Sequence, residues 1–255
     1  MKGERSYVQR DYREWHEGQD LKYFQVRIKQ SDLAIGVDLN NCSDSLLTLC
    51  RNYLIRLRGE LEDYIKLQPL FQTTLLPIAL RGDAPEIARR MGLASAPARV
   101  GPMAAVAGTI AELMGEKLAP LCQEVIVENG GDIYLKSSQE RIVAVFAGES
   151  RFSYRIGIRI AGSKEGVGIC TSSGTVGHSL SLGRADAVVI RADSAALADA
   201  VATGAGNMVS CKADLMKAVD FAREIPGVTG VLTIKGDQMA AWGQMEIIPL
   251  HHSKP

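Results

Sequence analysis

Six short apolar segments, EVIVEN, DIYLK, RIVAVFA, YRIGIRI, GVGICT and ADAVVIRA, follow one another between residues 124 and 192. They succeed each other directly instead of alternating with helical stretches. The chain therefore reads as α+β, with helices packed on a mainly antiparallel sheet. YFQVRIK (23–29) and DLAIGVD (32–38) alternate well enough to be two earlier strands, arranged as a hairpin. VTGVLTIKG and MEIIPL supply the final strands.

Helical spacing is clearest in DSLLTLCRNYLIRLRGELEDYIKL (44–67), which two prolines in LQPLFQTTLLPIAL bring to an end. PEIARRMG reads as a short helix stopped by Gly92, and SAPARVGP (95–102) as a loop. Pro102 suits the first turn of a helix over PMAAVAGTIAELMGEKL, because its missing N–H would be unpaired there anyway. Ala104, Ala107, Gly108 and Ala111 stack on one side of it, a face that lets another backbone or a ligand come close. A helix from about Ser194 to Met208 follows, and another over KADLMKAVDFARE. No repeat or linker divides the chain, so a single domain over residues 1–255 is expected, with a disordered arm (1–20) and tail (251–255).

The 29 basic and 29 acidic side chains cancel, which leaves no basic field for nucleic acid and no long-range steering of an anion. An anionic ligand would have to be held locally, by backbone amides or a metal. The five cysteines are scattered without zinc-type spacing, and the charged, aromatic N-terminus lacks the apolar core of a signal peptide. No run approaches the length that crosses a bilayer, so a reducing cytoplasm is the expected home. The small-residue helix face and the apolar C-terminal strands are candidates for a homo-oligomer contact.

Three turns carry the chemistry. VENGGDIYL (127–135) places Asn129, Gly130, Gly131 and Asp132 between two strands. That is tight-hairpin chemistry, and equally a place where main chain can touch a ligand. TSSGTVGHS puts the hydroxyls of Thr171, Ser172 and Ser173 at a strand end, with Gly174 freeing backbone N–H groups for phosphate or carbonyl oxygens. His178, the only histidine in the body of the chain, is a candidate general base; a polar loop is the plainer alternative. In DSAALADAVATGAGN, Asp199 lies in the second helical turn, too deep to cap its own helix, with Thr203 one turn further on the same face. A carboxylate and a hydroxyl so stacked offer two hard oxygens of the kind Mg²⁺ prefers. An exposed acid on an alanine-rich helix remains the alternative.

Taken in order, NGGD, TSSG with a following histidine, and ADAVAT resemble the ApbE superfamily, the FAD:protein FMN transferases. VGPMAAVAG, ENGGDIYL, GICTSSGTVGHSLSLGRADAVV and ADAVATGAGN are closest to a shorter branch of it. The resemblance implies a flavin- or nucleotide-binding α+β fold in which Mg²⁺ grips the FAD pyrophosphate. A hydroxyl of an acceptor protein then attacks the FMN-side phosphorus and AMP leaves. Carried onto this chain, Asp199 and Thr203 hold the metal with a backbone carbonyl near Ala104. Gly101, Asn129 to Asp132 and Thr171 to Gly174 position the cofactor, and His178 is the catalytic base. Three features of the motifs depart from the pattern. NGGD lacks the residue that separates the asparagine from the glycines in the family's Asn-x-Gly-Gly-Asp turn. SLSLGRADAVV replaces the Asp-Pro segment that follows the histidine in the transferases, and GPMAAVAG lacks their lysine. Three readings follow: an Mg²⁺-dependent transferase or FAD-cleaving enzyme, a flavin- or nucleotide-binding protein without the chemistry, and an assembly protein whose turns only shape the fold.

Overall fold

The computed structural model describes residues 20–174 and 183–250. Expectations that concern His178, the arm up to residue 19 and the tail from residue 251 lie outside the described residues. Strands β1 (Leu21–Ile28) and β2 (Ser31–Asp38) form the expected antiparallel hairpin. Asp20, placed in the expected arm, is already fixed by the Arg141 guanidinium, whose Nη1 donates to it at 2.9 Å.

Helix α1 spans Asp44–Leu67 as the spacing predicts, and the Ser43 hydroxyl caps it by accepting from the Leu46 N–H at 3.3 Å. A single turn, α2 (Leu70–Thr73), interrupts the proline-rich stretch. Helix α3 (Glu86–Ser95) runs three residues past Gly92, which is therefore not a stop signal. A Cβ on Gly92 would come within 2.6 Å of the Leu80 side chain, so the glycine serves to let the preceding strap lie against the helix. The next helix is also divided. Pro102–Ala105 form a 3₁₀ turn, and α4 proper begins at Val106 and ends at Leu118.

Strands β3 (Val125–Asn129), β4 (Asp132–Ser137), β5 (Arg141–Ala144), β6 (Ile156–Ile160), β7 (Ser163–Ser172) and β8 (Ala187–Ala192) correspond to the six apolar segments. Then come α5 (Ala195–Gly206), α6 (Leu215–Arg223), β9 (Val228–Lys235), β10 (Gln238–Gly243) and β11 (Glu246–Pro249). The main sheet has eight strands in the order β1-β2-β3-β4-β7-β8-β9-β10, and β5 and β6 leave it to join β11 in a three-stranded sheet. All of these pairings are antiparallel.

Alternation along the strands sorts the side chains into two cores. Val125 and Val127 of β3, Tyr134 of β4, Cys170 of β7 and Val188 and Ile190 of β8 face the helices. Ile126, Ile133, Leu135, Ile169, Ala187 and Val189 face the other way, onto Val143, Ile156, Ile158 and Ile160 of the small sheet. The result is three layers: helices, large sheet, small sheet. The site candidates lie between the first two.

Candidate functional site

The Asn-Gly-Gly-Asp stretch is a two-residue hairpin. Asn129 pairs with Asp132, and Gly130 and Gly131 take φ of 73° and 107°, the left-handed region that a turn of this length requires. A Cβ on Gly131 would meet nothing within 4 Å, so the tip faces open space. By strand alternation Asn129 and Asp132 both point to the helix side. The Asn129 amide donates from Nδ2 to the Ala107 carbonyl at 3.1 Å, which ties the hairpin to the start of α4. The Gly131 N–H donates to Glu128 Oε1 at 3.1 Å.

Helices α4 and α5 cap each other. Ala105, at the N-terminus of α4, has no capping side chain of its own. The carboxylate of Asp199 takes that place from α5, its Oδ2 accepting the Gly108 N–H at 2.8 Å with the Ala107 N–H also turned toward it. In return, Glu112 of α4 accepts from the Ser194 hydroxyl at 2.6 Å and from the Ala196 N–H at 3.1 Å at the start of α5. Arg90 of α3 donates to its other oxygen at 3.0 Å. The small-residue face makes this exchange geometrically possible. A Cβ on Gly108 would lie 2.2 Å from the Ala195 carbonyl oxygen, so the two backbones approach as closely as any side chain would forbid. It is another backbone that the alanines and glycine of α4 admit. Glu112 was not among the sequence candidates, although an acid alone in TIAELM marks it. Glu112→Ala, which removes three hydrogen bonds from a buried carboxylate, is expected to cost about 3 kcal/mol in urea unfolding.

Asp132 and Asp199 converge by two independent routes. Across one ladder Asp132 faces Asn129, which holds the α4 segment that Asp199 caps. Across the other, the pairing of Ile133 with Ile169 sets Asp132 beside Cys170, whose thiol donates to Ala195 O at 3.3 Å, one turn before Asp199. Burial pushes the Asp132 carboxyl up to about 7, raised further by the charge of Glu128 and eased by the Cys170 thiol and the Thr171 N–H nearby. Asp132 Oδ1 is buried and has no hydrogen-bond partner among the described residues. Asp199 is raised well above the usual carboxylate range, first by burial and then by the charge of Asp132, against the pull of the Gly108 and Ala107 N–H groups. Its side chain remains part-exposed. Desolvation and the negative charge of both acids also raise the Cys170 thiol far above its ordinary value.

The other candidates lie on neighbouring elements. Thr203 is buried one turn along α5. Ala104 is part-exposed in the 3₁₀ turn before α4, with its N–H bonded to Gly101 O at 3.0 Å. Ser172 is buried, on the helix side with Cys170, and alternation sends the Thr171 side chain to the opposite face. Ser173 is part-exposed. Gly174 is exposed and its N–H bonds Ala185 O at 2.9 Å. Gly101 stands apart in character, because a Cβ there would lie 1.9 Å from Thr74 O, a close packing of strap on loop.

The chemistry of the donors can be tested against Mg²⁺. Among the described residues no three His, Cys, Asp or Glu side chains form a metal-binding cluster. Two carboxylates, one with an unpartnered buried oxygen, and the Thr203 hydroxyl one helical turn from Asp199 are hard oxygen donors, few in number, that leave positions for water or phosphate. They fit Mg²⁺ and do not fit a thiolate-bound metal.

An all-antiparallel sheet carrying helices on one side, with two converging acids near a Gly-Gly hairpin, agrees with the ApbE-like class. The chain belongs to the family described as AbpE bacteria, whose model matches residues 13–238. It falls in the UPF0280 branch of that class. It is 44% identical over 205 residues to the UPF0280 protein of Methanocella arvoryzae, covering 80% of this chain and 83% of that one. To the UPF0280 protein of Methanococcus aeolicus it is 39% identical over 225 residues, covering 86% and 91%. Among solved structures it is similar to the flavinyl transferase ApbE of Pseudomonas stutzeri in its apo form. That match has a TM-score of 0.58 and 12% identity over 88% of this chain and 94% of that one. It is also similar to the flavin transferase ApbE of Vibrio cholerae, with a TM-score of 0.57 and 14% identity over 88% and 97%. At such identities the likeness is one of fold. Among the described residues no helix is long and apolar enough to cross a membrane.

Proposed function

We propose that the chain binds FAD or a related pyrophosphate nucleotide with Mg²⁺ and cleaves or transfers across the pyrophosphate, releasing AMP. The observation that carries this reading is the pair of deeply set acids, Asp132 and Asp199, one with a buried oxygen that no described residue satisfies. Two such groups repel each other, and a divalent cation relieves both. The Asp199 carboxylate, the Thr203 hydroxyl and the Ala104 carbonyl would hold it, and bound Mg²⁺ supplies Lewis-acid stabilisation of phosphate charge.

The chain's own residues do the rest. Asn129, locked to α4, fixes the Gly-Gly turn beside the two acids, and the open space over Gly131 leaves room for a phosphate chain. Ser172 stands on the same helix-facing side of β7 as Cys170. His178 accepts the proton of the incoming hydroxyl, from an acceptor protein or from water, as its oxygen bonds to the FMN-side phosphorus. The P–O bond to AMP breaks, and AMP departs with the electron pair. The names of the solved neighbours, flavin transferases of like fold, agree with this reading.

Binding without transfer is the second reading, favoured by SLSLGRADAVV standing where the transferases have their Asp-Pro segment. Chromatography of FAD incubated with the protein separates the two. Mg²⁺-dependent AMP is the expected product, with a rate that falls when EDTA is added. FAD that quenches on binding but stays intact on prolonged incubation would establish the second reading. Protein that neither quenches flavin fluorescence nor forms product would reject both.

A further inference from the structure

We propose that Asp132 is the second protein carboxylate of the cation site, so that the folded chain takes up a divalent cation before any nucleotide arrives. The inference rests on the reading of Asp199 and Thr203 as the metal side of a nucleotide site, and it goes further in assigning Asp132 to the metal as well as to the turn.

The argument starts from an unpaid hydrogen-bonding requirement. Asp132 is 9% exposed and sits at the first residue of β4, where its Oδ1 is buried without a partner among the described residues. A buried carboxylate oxygen left in this way is costly, and folded proteins almost always satisfy such atoms. The Cys170 thiol and the Thr171 N–H lie near the carboxyl and ease it, yet Oδ1 stays bare among the described residues. Cys170 donates its thiol to Ala195 O, Asn129 donates to Ala107 O, and Gly108 gives its N–H to Asp199. Among the described residues no lysine or arginine pairs with either acid; the nearest such contact on this side is Arg90 with Glu112.

The backbone geometry keeps the arrangement from relaxing. Asp132 is paired to Asn129 through a two-residue turn with both glycines at positive φ, and β7 flanks it on the other side. Asp199 is held by the α4 N–H groups it caps. Asp199 cannot leave without undoing the α4 cap, and the backbone that carries Asp132 is paired on both sides. Two anions fixed in one place, one with a free oxygen, are the coordination half of a hard-cation site. A second carboxylate also changes the order of binding. One acid and one alcohol hold Mg²⁺ weakly without phosphate, whereas two acids hold it in the empty protein.

Calorimetry of the metal-free full chain with MgCl₂, and with MnCl₂ as a paramagnetic probe, in the absence of nucleotide, tests this directly. Wild type is expected to bind one cation per chain. Asp132→Asn, of the same shape, is expected to bind about 10- to 100-fold more weakly. Asp132→Glu, which keeps the charge, should recover part of the loss. A wild type that ignores both cations alone, yet needs Mg²⁺ to bind FAD, would overturn the assignment of Asp132 and leave the nucleotide reading standing. Equal affinity in wild type and Asp132→Asn would likewise overturn it, and would mean that a proton shared by the two acids satisfies the bare oxygen. A wild type that binds neither cation nor FAD would remove both the assignment and the reading beneath it. The wild-type titration decides even if the variants fail to fold.

Discussion

Replacing Asp199 with asparagine is expected to abolish the stabilisation by Mg²⁺ and to weaken FAD binding by about 100-fold, near 3 kcal/mol, without unfolding the metal-free protein. The amide oxygen of the variant can still accept the Gly108 N–H at the head of α4, so the cap survives. What disappears is a negative charge beside Asp132. The effect on pH dependence has a definite sign. Asp199 is raised well above 3.8 and Asp132 to about 7, so the folded chain holds these protons more tightly than the unfolded chain does. Stability from these groups is full below the unfolded value and is lost as pH rises through the folded values. Metal-free wild type should therefore lose this contribution as pH rises from about 4 through about 7, and saturating Mg²⁺ should oppose that loss. Asp199→Asn should show a shallower fall, because one of the two raised carboxyls no longer titrates. Thermal melts across pH, with and without Mg²⁺, measure both. An unchanged slope in the variant would show that the Asp199 carboxyl is not raised.

A second large effect is expected at Gly108. A Cβ there would stand 2.2 Å from Ala195 O and 2.7 Å from the Asp199 Cβ, and the obstructing atoms are backbone and a fixed side-chain root. Gly108→Ala must push α4 and α5 apart, at a cost of about 3 kcal/mol. It should also pull Asp199 off the α4 N-terminus and so lower cation affinity. Gly59→Ala provides the contrast. It lies within α1 with nothing within 4 Å, and should stabilise by about 0.5–1 kcal/mol through helix propensity alone. Urea unfolding of the two variants separates steric conflict from propensity. Equal stabilities would mean that the helix contact yields more easily than close-packed backbone should.

The α+β class and nearly every strand were legible because their apolar segments are continuous or alternate cleanly. Strand β10, QMAAWG, went unseen for a physical reason: it is an edge strand, mostly exposed, and carries no alternation for a buried face to impose. The division into two sheets was equally invisible, since β5 and β6 look like their neighbours and only long-range pairing with β11 removes them. At the site, residue types were readable and partners were not. Asp199 was rightly excluded as a cap of its own helix, yet it caps the neighbouring one, a relation between residues far apart in sequence. Glu112 plays the mirror role and was missed for the same cause. Gly92 and Pro102 show the limit of local punctuation, because packing against Leu80 and the turn at Ala105 decide where those helices begin and end.

The small sheet has a temporal consequence. Its β6 is paired on one side by β5, close by, and on the other by β11, roughly ninety positions later. During synthesis the helix layer and its carboxylate pair can assemble while Ile156, Ile158 and Ile160 still await their last neighbour. A nascent chain halted before β11 emerges would thus present a finished pocket on an unfinished back, and it is the back that chaperones and proteases would find.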